Sequence, residues 1–149
     1  MYLSQNFSLG EFTHSDVALA RGIVNDPPGS TLARLRRTAA GMEEVRFLLG
    51  DHPIRITSGY RCPELNKAVG SKPTSQHMTG SACDFVCPDF SLPEPIVRKI
   101  VGSKIQFDQC ILECMTRPGG VRQWVHISFA DVARKQALII DDSGVRAWA

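Results

Sequence analysis

Leu32, Leu35, Ala39, Met42, Val45 and Leu48 recur at three- and four-residue spacing, the period of a helix that buries one face. Ser30 or Thr31 can cap its start, and Gly50 ends it. This is the strongest helix in the chain, and its apolar face calls for a sheet to pack on. Ahead of it, Ser8-x-x-Glu11 has the form of a capping box and Ser15 is a second helix-start signal. Two short helices are therefore predicted before the turn at Pro27-Pro28-Gly29. Beyond residue 50 the period changes. Ile54 to Thr57 alternates as a strand does. Pro63 to Val69 reads as a short helix closed by Gly70, Ser71 to Gly80 as a polar loop, and Ala82 to Val86 as the next strand. Ser91-x-x-Glu94 predicts a capping box for a helix over about residues 92–101, stopped by Gly102. Phe107 to Cys114 and Gln123 to Phe129 read as strands joined by a loop containing Pro118-Gly119-Gly120. Gln136 to Trp148 reads as a last strand, or as a hairpin turning at Asp142-Ser143-Gly144. Helices first and antiparallel strands later imply an α+β fold, with N-terminal helices packed on a central antiparallel sheet. No repeat or linker divides residues 1–149, so one domain is expected.

Composition adds limits. A chain of 149 residues with 43% hydrophobic and 21% charged residues can bury a core without disulfides. A net charge of +2 supplies no basic patch for nucleic acid. No apolar run approaches the ~18 residues needed to span a bilayer, so no membrane insertion is expected. Met1 to Asn6 has neither a basic start nor an apolar run, which predicts cytoplasmic synthesis without a signal peptide. Cys62, Cys83, Cys87, Cys110 and Cys114 are odd in number and read as free thiols in a reducing compartment. The C-x3-C spacing of Cys83/Cys87 and Cys110/Cys114 invites a zinc reading, but both pairs sit in apolar runs where cysteine serves as a small core residue. The absence of C-x-x-C argues against a redox protein. A monomer is expected.

The segment Ser75-Gln76-His77-Met78-Thr79-Gly80-Ser81-Ala82-Cys83-Asp84 carries the strongest chemical signal. A catalytic zinc takes three protein ligands, mixing imidazole nitrogen and carboxylate oxygen, and keeps a fourth position open. His77 lies in a loop and Asp84 on the following strand, with Gly80 and small residues letting the chain turn back between them. Strand alternation in Trp124 to Phe129 puts Val125, Ile127 and Phe129 on one face and Trp124, His126 and Ser128 on the other. An apolar face toward helices and a histidine on the opposite face suit a strand lining a cleft. His77, Asp84 and His126 are thus the expected ligands of one metal ion.

Ser75, His77, Gly80, Ala82 and Asp84 match S-x-H-x-x-G-x-A-x-D, and Trp124 and His126 match a following W-x-H. This pattern resembles the zinc D-alanyl-D-alanine carboxypeptidase family, which includes phage L-alanyl-D-glutamate endopeptidases and the hedgehog signalling domain. Ser58-Gly59-Tyr60-Arg61, followed by Leu65-Asn66, resembles its upstream motif. Phe7 to Asn25 and the helix at 31–49 resemble its phage and prophage branch. The resemblance covers roughly residues 5–130. It implies one zinc ion per chain, bacterial cell-wall peptidoglycan peptide as substrate, and an Arg61 that lies near the zinc and polarises the scissile carbonyl. It also implies a lysis-type enzyme that reaches the wall after release by another protein, or a virion-associated one. Carboxypeptidase and endopeptidase readings both stay open; Arg55, Arg117 or Arg122 can hold a terminal carboxylate in the first. The hedgehog domain shows that the fold can also serve binding, so the alternative is a non-catalytic zinc-binding module such as a phage tail or assembly component.

A peptidase also needs a general base. Many family members carry an acid three residues before the second histidine, where this chain has Gln123. Alternation groups Glu113 with Ile111 and Gln109. Centring the hairpin on residues 118–119 sets Glu113 opposite Trp124 and Ile111 opposite His126. Glu113 and His126 are then diagonal neighbours across the strand pair, about 7–8 Å between backbone positions and less between side chains, and Glu113 is the expected base. Asp108 is the weaker rival because it alternates onto the other face. Ser75 and Ser128 read as groups that orient the ligands. His14, His52, Trp148 and the C-terminal hairpin carry no assigned chemistry.

Overall fold

The capping box at Ser8 and Glu11 forms as the pattern predicts. In the computed structural model, which describes residues 1–149, the two side chains satisfy each other's backbone N–H groups at the start of α1 (Leu9–Thr13). Ser15 caps α2 (Asp16–Arg21) by accepting from Ala18 N. The long helix α3 (Gly29–Leu48) starts earlier than Ser30 or Thr31 would place it, with Pro28 as its cap residue and no side-chain cap. Pro28 is held extended, and its carbonyl accepts from both Thr31 N and Leu32 N at 3.0 Å. The main chain therefore closes the first turn before either hydroxyl can act.

The second predicted box fails for a related reason. In α5 (Pro93–Val101) the cap residue is Leu92, with no side-chain cap, and a proline stands in the first turn. Proline suits that first helical position. Starting one residue late makes Glu94 the second helical residue, where it cannot reach back to the cap. It pairs instead with Arg98 at 2.8 Å, one turn on. The remaining helix, α4 (Pro63–Ala68), is capped by Cys62 Sγ accepting from Leu65 N.

Six strands form one sheet: β1 (Arg55–Ser58), β2 (Ala82–Val86), β3 (Gln109–Arg117), β4 (Gly120–Ser128), β5 (Gln136–Asp141) and β6 (Gly144–Ala147). Their order is β1-β2-β4-β3-β5-β6. The fold is α+β, and the strands that carry the site pair antiparallel. Outside that central antiparallel part, β5 pairs parallel to β3 before turning back into β6. The cause is geometric. β4 ends beside the start of β3, with Cys110 opposite Ile127, so a chain crossing that end enters the free edge in the direction of β3. The β3–β4 hairpin closes Arg117 onto Gly120, so both strands run further than their apolar residues signal.

One face of the sheet is core. Val125, Ile127, Phe85, Cys83, Cys110 and Leu112 are buried, as are Leu35, Ala39, Met42 and Val45 of α3 and Ile96, Val97 and Ile100 of α5. Each fully buried aliphatic side chain contributes roughly 1.5–3 kcal/mol. The five cysteines are free thiols. Burial raises Cys83 well above its ordinary pKa and pushes Cys110 up to about 12, so both act as small apolar groups. No helix is long and apolar enough to cross a membrane.

Candidate metal centre

Register carries the chemistry onto the other face. Asp84 of β2 lies opposite His126 of β4, and His126 lies opposite Ile111 of β3. Asp84 Oδ1 stands 2.9 Å from His126 Nδ1. His77 arrives from a 3₁₀ turn, Gln76–Thr79. Ser75 Oγ accepts from His77 N at 3.2 Å to start that turn. Gly80 ends it with φ 78°, a left-handed conformation that glycine adopts without strain. The Gly80 carbonyl accepts from Thr38 Oγ1 at 2.7 Å, which clips the loop to α3.

The His77 ring is oriented by main chain. Its Nδ1 lies 2.7 Å from the Gly59 carbonyl oxygen. A carbonyl only accepts, so Nδ1 carries the proton and Nε2 keeps its lone pair. Nε2 faces Asp84 Oδ1 at 3.3 Å. The two imidazoles meet edge to face at 5.1 Å between centroids. All three residues are buried, and their donor atoms lie within 4.8 Å of one another. Two imidazole nitrogens and one carboxylate oxygen, open to a cleft on the remaining side, are the donor set of a catalytic zinc. The residues fit that ion.

Charge balance fits it too. Burial alone would raise Asp84, but the two imidazoles beside it, His77 and then His126, whose Nδ1–H donates to Oδ1, hold it well below the usual carboxylate range. Burial lowers His77 despite Asp84 beside it. Burial also works against a charged His126, yet the hydrogen bond and charge of Asp84 leave that ring raised. Asp84 is thus ionised, and a divalent cation would take the place of the proton that His126 shares with it.

The cleft over this cluster measures about 1160 Å³. Glu113 lies opposite Trp124 as the alternation requires. Its Oε1 is 3.8 Å from His126 Nδ1, beyond hydrogen-bond reach, so the carboxylate faces the cluster without joining it. Burial first, then the charge of Asp84, pushes Glu113 up to about 7. Arg61 also lines the cleft. Its backbone N donates to His77 O at 3.1 Å, which ties it to the metal turn, and its buried Nε has no protein partner.

Other anticipated residues fall elsewhere. Gln123 pairs across the sheet with Cys114, off the cleft face, and its amide reaches Cys114 Sγ at 3.5 Å. Asp108 is buried, and Arg134 and Gln76 take its oxygens; the hydrogen bond from Arg134 leads in holding it down at about 2, a poor proton acceptor. Neither serine orients a ligand side chain. Ser75 holds the His77 backbone, while Ser128 Oγ accepts from Gln109 N at 3.0 Å. Arg117 reaches the cleft, whereas Arg55 and Arg122 do not line it. His14 and Ile140 of the C-terminal hairpin do line it.

The reading of the chain missed Gly59. The signal was present in Ser58-Gly59-Tyr60-Arg61. A Cβ on Gly59 would lie 2.4 Å from Phe12 O, the atom that accepts from Tyr60 N at 2.7 Å. Gly59→Ala must therefore push α1 away from the end of β1 and move the carbonyl that holds His77. The expected cost is about 1–3 kcal/mol of stability, the scale of overpacking. Zinc affinity should fall about 10–100-fold, the scale for losing an outer-shell partner. Thermal melts and a competitive zinc titration measure both, and unchanged values in the two would refute this role for Gly59.

The family model described as peptidase M15 matches residues 5–128, a span that contains the metal turn, β2 and β4. Comparison with curated proteins finds no match.

Proposed function

The chain belongs to the peptidase M15 family, and we propose that it is a zinc metallopeptidase hydrolysing peptide bonds of bacterial cell-wall peptidoglycan. Peptidases of this family are zinc-dependent, and His77 Nε2, Asp84 Oδ1 and His126 Nδ1 would hold the ion. When bound, zinc supplies Lewis acidity and makes water a competent nucleophile near neutral pH. The remaining steps belong to the chain's own groups. Glu113 takes the proton of the attacking water at Oε1 and returns it to the leaving nitrogen, the role of a general base facing the cluster without ligating in it. Arg61 presents its guanidinium to the carbonyl oxygen as negative charge develops there. Burial of all three ligands strengthens each electrostatic contact at the cluster.

The observation that carries this reading is Glu113 facing the His77–Asp84–His126 cluster at 3.8 Å from His126 Nδ1. A binding module has no use for a half-buried carboxylate without a hydrogen-bond partner at that place. A lysis-type role, as a monomer released to the wall by another protein, follows from the same resemblance. Purified peptidoglycan digested with the protein should release peptides, identified by mass analysis of the new ends. A chelator should stop release and added zinc restore it. If no wall peptide is cleaved by zinc-loaded protein, the binding-module reading takes over.

A further inference from the structure

Four cations line the cleft, and of Arg61, Lys72, Arg117 and Arg134 only Arg134 is held by a carboxylate. Its Nε donates to Asp108 Oδ1 at 2.6 Å and its Nη2 to Asp108 Oδ2 at 2.9 Å. That fork uses one edge of the guanidinium. The end formed by Nη1 and Nη2 is a second bidentate edge, and Nη1 has no protein partner. The two side chains are unequally exposed, Asp108 at 3% and Arg134 at 53%, so the held edge is inside and the free end reaches the open cleft.

A third residue completes the clamp. Asp108 Oδ2 also accepts from Gln76 Nε2 at 2.8 Å. A carboxylate forces the amide nitrogen toward itself, so Gln76 Oε1 is turned the other way, buried and without a partner. Gln76 directly precedes His77 in the metal turn. Arg134, Asp108 and Gln76 therefore form a chain that starts beside the metal cluster and ends on a free guanidinium edge in the same cleft.

We propose that Arg134 is a specificity-determining residue whose Nη1/Nη2 edge binds a carboxylate of the peptide substrate, with Asp108 and Gln76 as positioning residues. The inference rests on the peptidase reading and names the anionic group that the site selects. Arg134 suits the task better than Arg117. The Asp108 fork fixes the guanidinium plane before substrate arrives, so little side-chain entropy remains to be lost. Arg117 is exposed, lies over the Trp124 ring at 5.8 Å, and donates to its neighbour's carbonyl. Two carboxylates in wall peptides share the required chemistry: a terminal α-carboxylate and the free carboxylate of a glutamyl residue.

The test is calorimetric binding to zinc-loaded Glu113→Gln protein, which reads affinity without turnover. One pair of probes is acetyl-lysyl-D-alanyl-D-alanine as free acid and as C-terminal amide. The other is an acetyl-L-alanyl-D-glutamyl peptide with the glutamyl carboxylate free or amidated. The free acid of one pair should bind roughly 10–100-fold more tightly than its amide, the scale of hydrogen bonds to a charged group. Adding Arg134→Gln should abolish that preference and leave amide binding unchanged, while Arg134→Lys should keep part of it. The pair that responds identifies the carboxylate. Equal affinity for acid and amide in both pairs overturns the proposal before any Arg134 variant is made. So does an Arg134→Gln protein that weakens acid and amide equally, which is a structural effect. Cleavage by the unmodified protein is scored separately, so loss of the peptidase reading leaves this comparison decisive for Arg134.

Discussion

Asp84→Ala is expected to empty the metal site and abolish peptide hydrolysis together. Asp84 Oδ1 is the atom that both imidazoles address, at 2.9 Å from His126 Nδ1 and 3.3 Å from His77 Nε2. Without it two nitrogens remain, and a two-ligand site holds zinc poorly where three are the rule. Loss of an outer-shell partner alone costs about 10–100-fold in metal affinity, so loss of a ligand should exceed about 100-fold. The change should also lower His126 toward its ordinary pKa, because the Asp84 hydrogen bond and charge are what raise it. Elemental analysis after dialysis against buffered zinc measures the effect, with circular dichroism to confirm that the sheet persists. His77→Ala and His126→Ala should behave alike. One full equivalent of zinc in folded Asp84→Ala protein would show that the ligand set is wrong.

What could be read in the chain beforehand was local or periodic. Ala82 to Val86 is a short apolar run broken only by Asp84 and forms β2 over those residues. The Pro118-Gly119 turn sets the β3–β4 register, so Ile111 falls opposite His126 and Glu113 opposite Trp124 without any knowledge of the rest of the fold. Ser8 and Ser15 cap as short-range chemistry dictates. Two helix starts were misplaced because serine and threonine advertise caps that neighbouring prolines pre-empt. The parallel pairing of β5 with β3 left no trace, since a strand's own pattern does not state its neighbour or direction. The same holds for the site's supports. Gly59 O, Thr38 Oγ1 and the Asp108–Arg134 fork act across 18, 42 and 26 residues of sequence. Periodicity groups residues by face; it does not say which distant carbonyl will meet a ring nitrogen.

Glu113→Gln should leave zinc content and fold nearly intact while lowering hydrolysis by roughly 100-fold or more, the usual scale for a general base. Glu113 Oε1 stands 3.8 Å from His126 Nδ1, too far to ligate in the ligands' place, and an amide of the same size fills its space. The loss should fall on kcat and kcat/KM together, because proton transfer occurs in the transition state and not in binding. Gln123→Ala, off the cleft face, should cost far less. A second measurement separates function from packing. Glu113 is a carboxyl whose folded pKa is raised, from 4.5 to about 7, so between those values the folded state binds more protons than the unfolded one. Stability of the metal-free protein therefore falls as pH rises through that window. Glu113→Gln removes the penalty. The metal-free variant should be at least as stable as the unmodified protein at pH 8, with the difference vanishing below about pH 4. Parallel assays on wall peptide, normalised to bound zinc, and melts across pH measure the two effects. Near-unmodified turnover in zinc-loaded Glu113→Gln protein would remove Glu113 as the base. The acid would then have to come from outside the sheet, because Asp108 is committed to Arg134 and Gln76.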